Sequence, residues 1–341
     1  MRVTRETLLR LAKETAQERA YNDSDIAAVY LVGSLLNVEP MLGGAADIDL
    51  IFVQKSETLK PREFIKLTPD FHLDVSRRAK SEFKSPRELR GDPWLGYELY
   101  DPILLYEREK FFDFVQASLR AGFDFEQPPL VLQRCRTLLA HGRGIWFDLS
   151  ETQEAAPASM RKYLKALFHV VNAVAELSGP PIYDRRLLLE FPARAEAAQR
   201  PELTERVFTL CGAGSASPQT LSGWLPDWRA AFLAACGQPG VDIRIHSARL
   251  NYYEKAIKAM LGGATPLAAL WALLQTWTAS VEVLPEDSLR AWQNAVHALG
   301  FGGEGFAQRI EGLDLLIDDV EALLENFAKN NGVEFEPVSG L

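Results

Sequence analysis

Segments with the pattern of β-strands occur only in the first third of this sequence. They consist of β-branched, aromatic and aliphatic residues in short runs that end at glycine, proline or charged residues. Four segments have this pattern: Ile26–Val32, Ile48–Val53, Phe71–Val75 and Pro102–Tyr106. A helix precedes them, because Thr4 can cap a segment with one apolar stripe. Beyond about residue 112, apolar residues recur at spacings of three and four, which is typical of amphipathic helices. The sequence therefore predicts an α+β protein, with strands and helices first and helices alone afterwards.

The length of the chain is consistent with this division. A single domain usually contains about 100–200 residues, and this chain has 341. We therefore expect two domains, a strand-containing domain at residues 1–112 and a helical domain at residues 113–335.

Charge and cysteine content exclude several classes of protein. The chain has 37 basic and 46 acidic residues and therefore a net charge of −9. Extensive nucleic-acid binding is not expected at this charge, although a local basic patch can still occur. The three cysteines form no Cys-x-x-Cys pair, which excludes a disulfide framework and a cysteine-rich zinc site. No apolar run reaches the roughly 20 residues that span a bilayer. We therefore expect a cytoplasmic protein that does not bind membranes.

The segment between the first two strands carries the strongest functional signal. The first strand leads into Gly33-Ser34, and Asp47-Ile48-Asp49 opens the second strand. Side chains at positions i and i+2 of a strand share a face, so Asp47 and Asp49 are expected to project together. Two neighbouring carboxylates repel each other unless a cation lies between them. Mg²⁺ prefers carboxylate, phosphate and water ligands, and the pair therefore predicts a magnesium site.

A third acidic residue follows the same logic. Asp74 alternates with Phe71, Leu73 and Val75, so it should face away from these apolar neighbours. Three strand carboxylates can hold two metal ions, one on the phosphates of a nucleotide and one on an attacking hydroxyl. Glycine at position 33 allows close approach of a phosphate to the backbone.

In their order and spacing, these features resemble the DNA polymerase beta-type nucleotidyltransferase superfamily. The shared pattern is a Gly-Ser, a spacer, an Asp-x-Asp flanked by apolar residues and a later strand aspartate. The resemblance covers about residues 20–110 and implies a mixed sheet with flanking helices. It further implies that Gly33 and Ser34 hold the triphosphate, that Asp47, Asp49 and Asp74 bind metal, and that Asp74 helps to activate the acceptor.

The resemblance also concerns the helical domain. In several such enzymes a lysine of the helical domain contacts the triphosphate, which makes Lys162 and Lys165 candidates for nucleotide binding. The helical domain is accordingly expected to complete the active-site cleft of the catalytic domain at 1–112. One position departs from the common pattern, because Ala46 stands where many members have a serine before the Asp-x-Asp.

The implied activity is Mg²⁺-dependent transfer of a nucleoside monophosphate to a hydroxyl acceptor. We expect ATP as the donor, two Mg²⁺ ions as cofactors, AMP as the transferred group and a small molecule such as an aminoglycoside as the acceptor. An acidic surface would attract such a polycation. Two alternatives stay open. The acceptor can be a tRNA or a protein, as in toxin-like or regulatory members, or the chain can be a non-catalytic module that binds a nucleotide or a partner.

Other polar residues near the strands are secondary candidates. Arg77 and Arg78 follow Asp74 closely enough to reach a phosphate. Glu98 and Asp101 flank the fourth predicted strand, where some aminoglycoside nucleotidyltransferases place a catalytic base. His72 is expected either to support the acidic residues or to face solvent. A structural role is the alternative for each of these residues.

Overall fold

A mixed five-stranded sheet organises the first part of the chain. This computed structural model describes residues 3–37, 39–83 and 85–335. The strands are β1 (Ile26–Val32), β2 (Ala46–Gln54), β3 (Glu63–Lys66), β4 (Phe71–Ala79) and β5 (Ile103–Glu107). Their order in the sheet is β3-β4-β2-β1-β5. Strands β2 and β4 are parallel, and the other neighbouring pairs are antiparallel. The α+β prediction is therefore confirmed, and strand β3 is an addition that the sequence patterns did not indicate.

Four α-helices accompany this sheet within the described part of the first unit. They are α1 (Arg5–Asn22), α2 (Pro86–Leu89), α3 (Leu95–Tyr100) and α4 (Phe111–Arg120). The hydroxyl of Thr4 accepts a hydrogen bond from the backbone N–H of Thr7 at 3.3 Å, so Thr4 caps α1 as the sequence predicted.

The two faces of the sheet have separate apolar cores, because successive side chains of a strand alternate between faces. One core joins α1 to side chains that include Leu31, Leu50 and Val75. The core on the other face contains Tyr30 and Phe112, the latter from α4. The acidic residues of β2 and β4 alternate with members of the first core. They therefore lie on the face that carries the second core.

The chain divides into two compact units, Met1–Gln127 and Pro128–Leu341. The division lies after the expected end of the first domain at residue 112, because helix α4 belongs to the first unit. Its residues Phe112, Val115 and Leu119 are buried in one of the cores of the sheet.

The second unit is built from helices throughout the residues that the structure describes. The longer ones are α5 (Pro128–Phe147), α6 (Pro157–Ala175), α7 (Leu187–Ala197), α8 (Glu202–Leu210), α9 (Pro218–Ala235), α10 (Leu250–Leu261), α11 (Ala269–Val281), α12 (Arg290–Val296) and α13 (Gly305–Asn330). Within the described ranges, none of the helices combines the length and the apolarity needed to cross a membrane.

Helix α6 contains a buried histidine that should make the second unit sensitive to acid. His169 is 9% exposed, and its ring centroid lies 5.5 Å from that of His141. Burial, together with the nearby His141 and Lys165, lowers the pKa of His169 to about 4. The unfolded chain therefore binds this proton near pH 6.5, whereas the folded protein binds it only near pH 4. Stability should fall as the pH decreases between these values.

We expect this histidine to reduce the free energy of unfolding by about 1–2 kcal/mol between pH 7.5 and pH 5, after solvent screening is allowed for. Urea unfolding of the wild type, the His169→Gln variant and an exposed control, His297→Gln, would measure the effect. The pH-dependent loss should shrink in His169→Gln and persist in the control. An equal loss in all three proteins would contradict this assignment.

Candidate functional site

Strands β2 and β4 bring the three acidic residues together. In the parallel pairing, Asp49 lies opposite Asp74 and Asp47 lies opposite His72. One carboxylate oxygen from each of Asp47, Asp49 and Asp74 lies within 4.8 Å of the others. Asp47 and Asp74 are 3% and 2% exposed, whereas Asp49 is half-buried. The site is therefore a concentrated, largely buried patch of negative charge that is open to solvent on the side of Asp49.

This set of ligands fits Mg²⁺. Oxygens that bind one Mg²⁺ ion at 2.0–2.1 Å lie at most about 4.2 Å apart, so a small side-chain rotation would bring all three acids onto one ion. The same three carboxylates could also hold two ions, as acidic residues do in two-metal sites. Like charges at this separation repel each other. A cation between them removes that repulsion, and the three residues are therefore suited to hold one.

Gly33 packs directly against the acidic cluster. Its φ of +78° lies in the left-handed region, where residues with a side chain are strained. A Cβ atom at this position would lie 1.9 Å from Oδ2 of Asp49 and 2.7 Å from its Cγ. Glycine at position 33 therefore avoids both the backbone strain and a displacement of the Asp49 carboxylate.

Ser34 lies beside the same cluster in the turn that follows β1. Its hydroxyl is 3.5 Å from Oδ1 of Asp47, at the outer limit of a hydrogen bond. The turn thus places the predicted Gly-Ser pair next to the predicted metal ligands. Ala46, the residue directly before the Asp-x-Asp motif, is fully buried. A methyl group therefore lies where many nucleotidyltransferases with this motif have a serine.

Arg62 is a member of this site that the sequence analysis did not identify. Its Nε and Nη2 each donate a hydrogen bond of 2.6 Å to a different oxygen of Asp74. The guanidinium also lies over the ring of Phe64, at 5.4 Å from the centroid. Phe64 is the partner of Asp74 in the pairing of β3 with β4.

A signal for Arg62 was present in the sequence. Thr68-Pro69-Asp70 is typical of a turn, and it separates the short apolar pair of β3 from the strand that carries Asp74. Interpreting this segment as a hairpin would have placed β3, and the arginine immediately before it, beside Asp74.

Arg78, Glu98 and Tyr30 form a second polar cluster on the same face of the sheet. Nε and Nη2 of Arg78 donate to the two oxygens of Glu98 at 2.8 and 2.7 Å, and the hydroxyl of Tyr30 donates to Glu98 at 2.6 Å. Burial and the negative charge of Glu98 raise the pKa of Tyr30. Burial alone would lower the pKa of Arg78, but the hydrogen bonds to Glu98 raise it. Glu98 is thus committed to this cluster, which favours its structural role over that of a catalytic base.

The remaining secondary candidates also have structural partners. Arg77 forms an ion pair with Glu63. Asp101 is exposed and pairs with Arg120 at 3.2 Å. His72 is 1% exposed and lies opposite Asp47 in the strand pairing, so of its two alternatives the one in which it faces solvent is wrong.

Lys162 and Lys165 lie on helix α6 in the second unit, and both are exposed. Their contact with a triphosphate stays a prediction.

No protein-family model matches the sequence, and no curated protein does. One similar solved structure is that of a nucleotidyltransferase-like protein from Exiguobacterium sibiricum. The two chains are 9% identical over 95% of this chain and 92% of the other, with a TM-score of 0.29. That similarity is too low to carry a functional conclusion.

Proposed function

We propose that this protein is a Mg²⁺-dependent nucleotidyltransferase. The observation that carries the proposal is the convergence of Asp47, Asp49 and Asp74 on one buried point of the sheet, with Gly33 packed against them. Three neighbouring carboxylates repel one another, and Arg62 brings one positive charge against three negative ones, so the cluster is suited to bind a further cation. Its position beside a Gly-Ser turn is suited to a substrate whose own phosphates complete the coordination of the metal.

Each residue then has a defined task. Asp47 and Asp49 bind metal, and the exposed backbone at Gly33 and the hydroxyl of Ser34 bind phosphate oxygens of the nucleotide. Asp74 binds metal and accepts the proton of the acceptor hydroxyl. When bound, Mg²⁺ supplies positive charge to the phosphates and lowers the pKa of that hydroxyl. The acceptor oxygen attacks the α-phosphorus of the nucleotide, the bond to the β-phosphate breaks, and pyrophosphate leaves.

We propose ATP as the donor and a small hydroxylated molecule, such as an aminoglycoside, as the acceptor. The net charge of −9 supports a cationic acceptor and gives no support to a polyanionic one such as tRNA. Transfer to a protein side chain is equally compatible with this charge and is an outcome that the experiment below would detect.

The test is incubation of the purified protein with each of the four α-³²P-labelled nucleoside triphosphates and Mg²⁺, with and without cell extract or a panel of aminoglycosides. We expect Mg²⁺-dependent label on an acceptor from ATP, and whether the labelled product is a small molecule, RNA or protein identifies the acceptor. The Asp47→Asn/Asp49→Asn double variant should be inactive, whereas Asp101→Asn, which removes an exposed acid of the same unit, should be active. Absence of label in every reaction, or full activity of the double variant, would contradict the proposal.

A further inference from the structure

Asp74 is held by a cation that belongs to the protein itself. Arg62 donates a hydrogen bond of 2.6 Å to each of its carboxylate oxygens, in the bidentate arrangement that gives the strongest arginine–carboxylate pairs. The Asp74 side chain is 1% exposed, so the guanidinium neutralises a carboxylate that would otherwise be buried without solvent. A metal ion bound by Asp74 needs at least one of the same two oxygens. The guanidinium and the metal are both positively charged and repel each other, so they compete for this carboxylate.

The position of Arg62 allows it to release Asp74. Its side chain is 35% exposed, and it ends the run of exposed residues 55–62 between β2 and β3. This run contains no helix or strand, so the arginine is not held in a hydrogen-bonded ladder of the sheet. Asp74, in contrast, is fixed in the interior of the sheet between β3 and β2. When the pair separates, we expect the arginine to move and the aspartate to stay.

We propose that Arg62 is a positioning residue that occupies Asp74 until metal and nucleotide displace it, and that it thereby sets the metal affinity of the site. This inference rests on the metal site of the proposed function. The polyanionic triphosphate supplies a second group that attracts the displaced guanidinium, so nucleotide should assist metal binding. The pair then keeps the third carboxylate away from divalent cations until a nucleotide arrives.

The test measures Mn²⁺ binding to the full-length protein by electron paramagnetic resonance of the free ion, without nucleotide. Arg62→Gln should bind Mn²⁺ about ten- to a hundredfold more tightly than the wild type. This is the range expected when metal no longer has to displace charge-assisted hydrogen bonds from Asp74. Arg62→Lys keeps the charge but not the bidentate geometry, so its affinity should fall between the two. In an Asp74→Asn background, Arg62→Gln should change the affinity little, because the contested ligand is gone.

The matched control is Lys60→Gln. It removes the same charge two residues away, where the lysine pairs with Asp23 at 2.7 Å. It should leave the Mn²⁺ affinity within about twofold of the wild type, as expected for screened exposed charges. Adding a non-hydrolysable ATP analogue should tighten Mn²⁺ binding more in the wild type than in Arg62→Gln.

The outcomes separate this inference from the proposed function. If the wild type binds Mn²⁺ and Arg62→Gln binds it equally or more weakly, Arg62 does not compete with metal and the inference is wrong. If no protein in the series binds Mn²⁺ at millimolar concentration, with or without nucleotide, the metal site itself is wrong and the proposed function fails with it. Should Arg62→Gln not fold, as judged by circular dichroism, the comparison of Arg62→Lys with the wild type decides the question.

Discussion

The Asp49→Asn variant is expected to lose nucleotidyl transfer by about 10²–10³-fold or more while keeping its fold. An asparagine has nearly the same shape as an aspartate but carries no charge, so it binds Mg²⁺ far more weakly. Asp49 is the half-buried member of the acidic cluster, and its replacement leaves the buried neighbours Asp47 and Asp74 unchanged. The measurement is the rate of label transfer at saturating Mg²⁺, with Asp101→Asn as the control.

The same variant should be more stable than the wild type when no divalent cation is present. Although Arg62 pairs with Asp74, three carboxylates with oxygens within 4.8 Å still repel one another, and removing one charge should increase the free energy of unfolding by about 1 kcal/mol. In millimolar Mn²⁺ the order should reverse, because only the wild type gains stability from the bound ion. Urea unfolding in EDTA and in Mn²⁺ would measure both effects. A variant less stable than the wild type in EDTA would show that Asp49 serves the fold rather than a cation.

Gly33→Ala is expected to weaken Mn²⁺ binding by about 10²-fold or more and to destabilise the protein. The new Cβ would overlap the Asp49 carboxylate, so the side chain that binds metal must rotate away. The left-handed φ of +78° adds a backbone cost of about 1 kcal/mol.

Gly44→Ala provides a matched control for this second prediction. Gly44 has nearly the same φ, +77°, but among the described residues no atom lies within 4 Å of the position of its Cβ. The two variants thus share the backbone strain and differ in the contact with Asp49. Equal Mn²⁺ affinity in both would show that the space beside Gly33 does not control the metal site, whereas a loss only in Gly33→Ala supports the proposed arrangement.

Local patterns in the sequence were sufficient to predict much of the acidic site. The alternation of apolar and acidic residues indicated which face of its strand each aspartate occupies, and β1 has the predicted bounds, Ile26–Val32. The strand faces could be assigned because the alternation of side chains in a strand involves only a few neighbouring residues. Asp49 lies opposite Asp74 because β2 pairs with β4, and this pairing depends on residues that are distant in sequence. Only the resemblance to a known family indicated that these two aspartates belong to one site.

Features that depend on tertiary contacts were missed. Arg62 lies in an exposed segment without periodicity, and only the hairpin of β3 and β4 carries it to Asp74. Strand β3 has four residues, two of them charged, so it gives almost no periodic signal. The first unit extends to Gln127 because α4 packs back onto the sheet, and a helix beside a sheet has the same pattern as a helix beside other helices.

The location of β3 has a consequence for how the site opens. Among the strands that the structure describes, this short strand lies at the edge of the sheet and pairs with β4 alone, whereas β4 is hydrogen-bonded on both sides. Local unfolding of a protein begins where few hydrogen bonds and contacts must break. Fraying of β3 would carry Phe64 and the adjacent Arg62 away from Asp74 and leave the aspartates on their intact strands. Thermal fluctuation of this one edge strand would thus admit solvent and ions to the three aspartates. The aspartates would keep their positions, because β2 and β4 would stay paired.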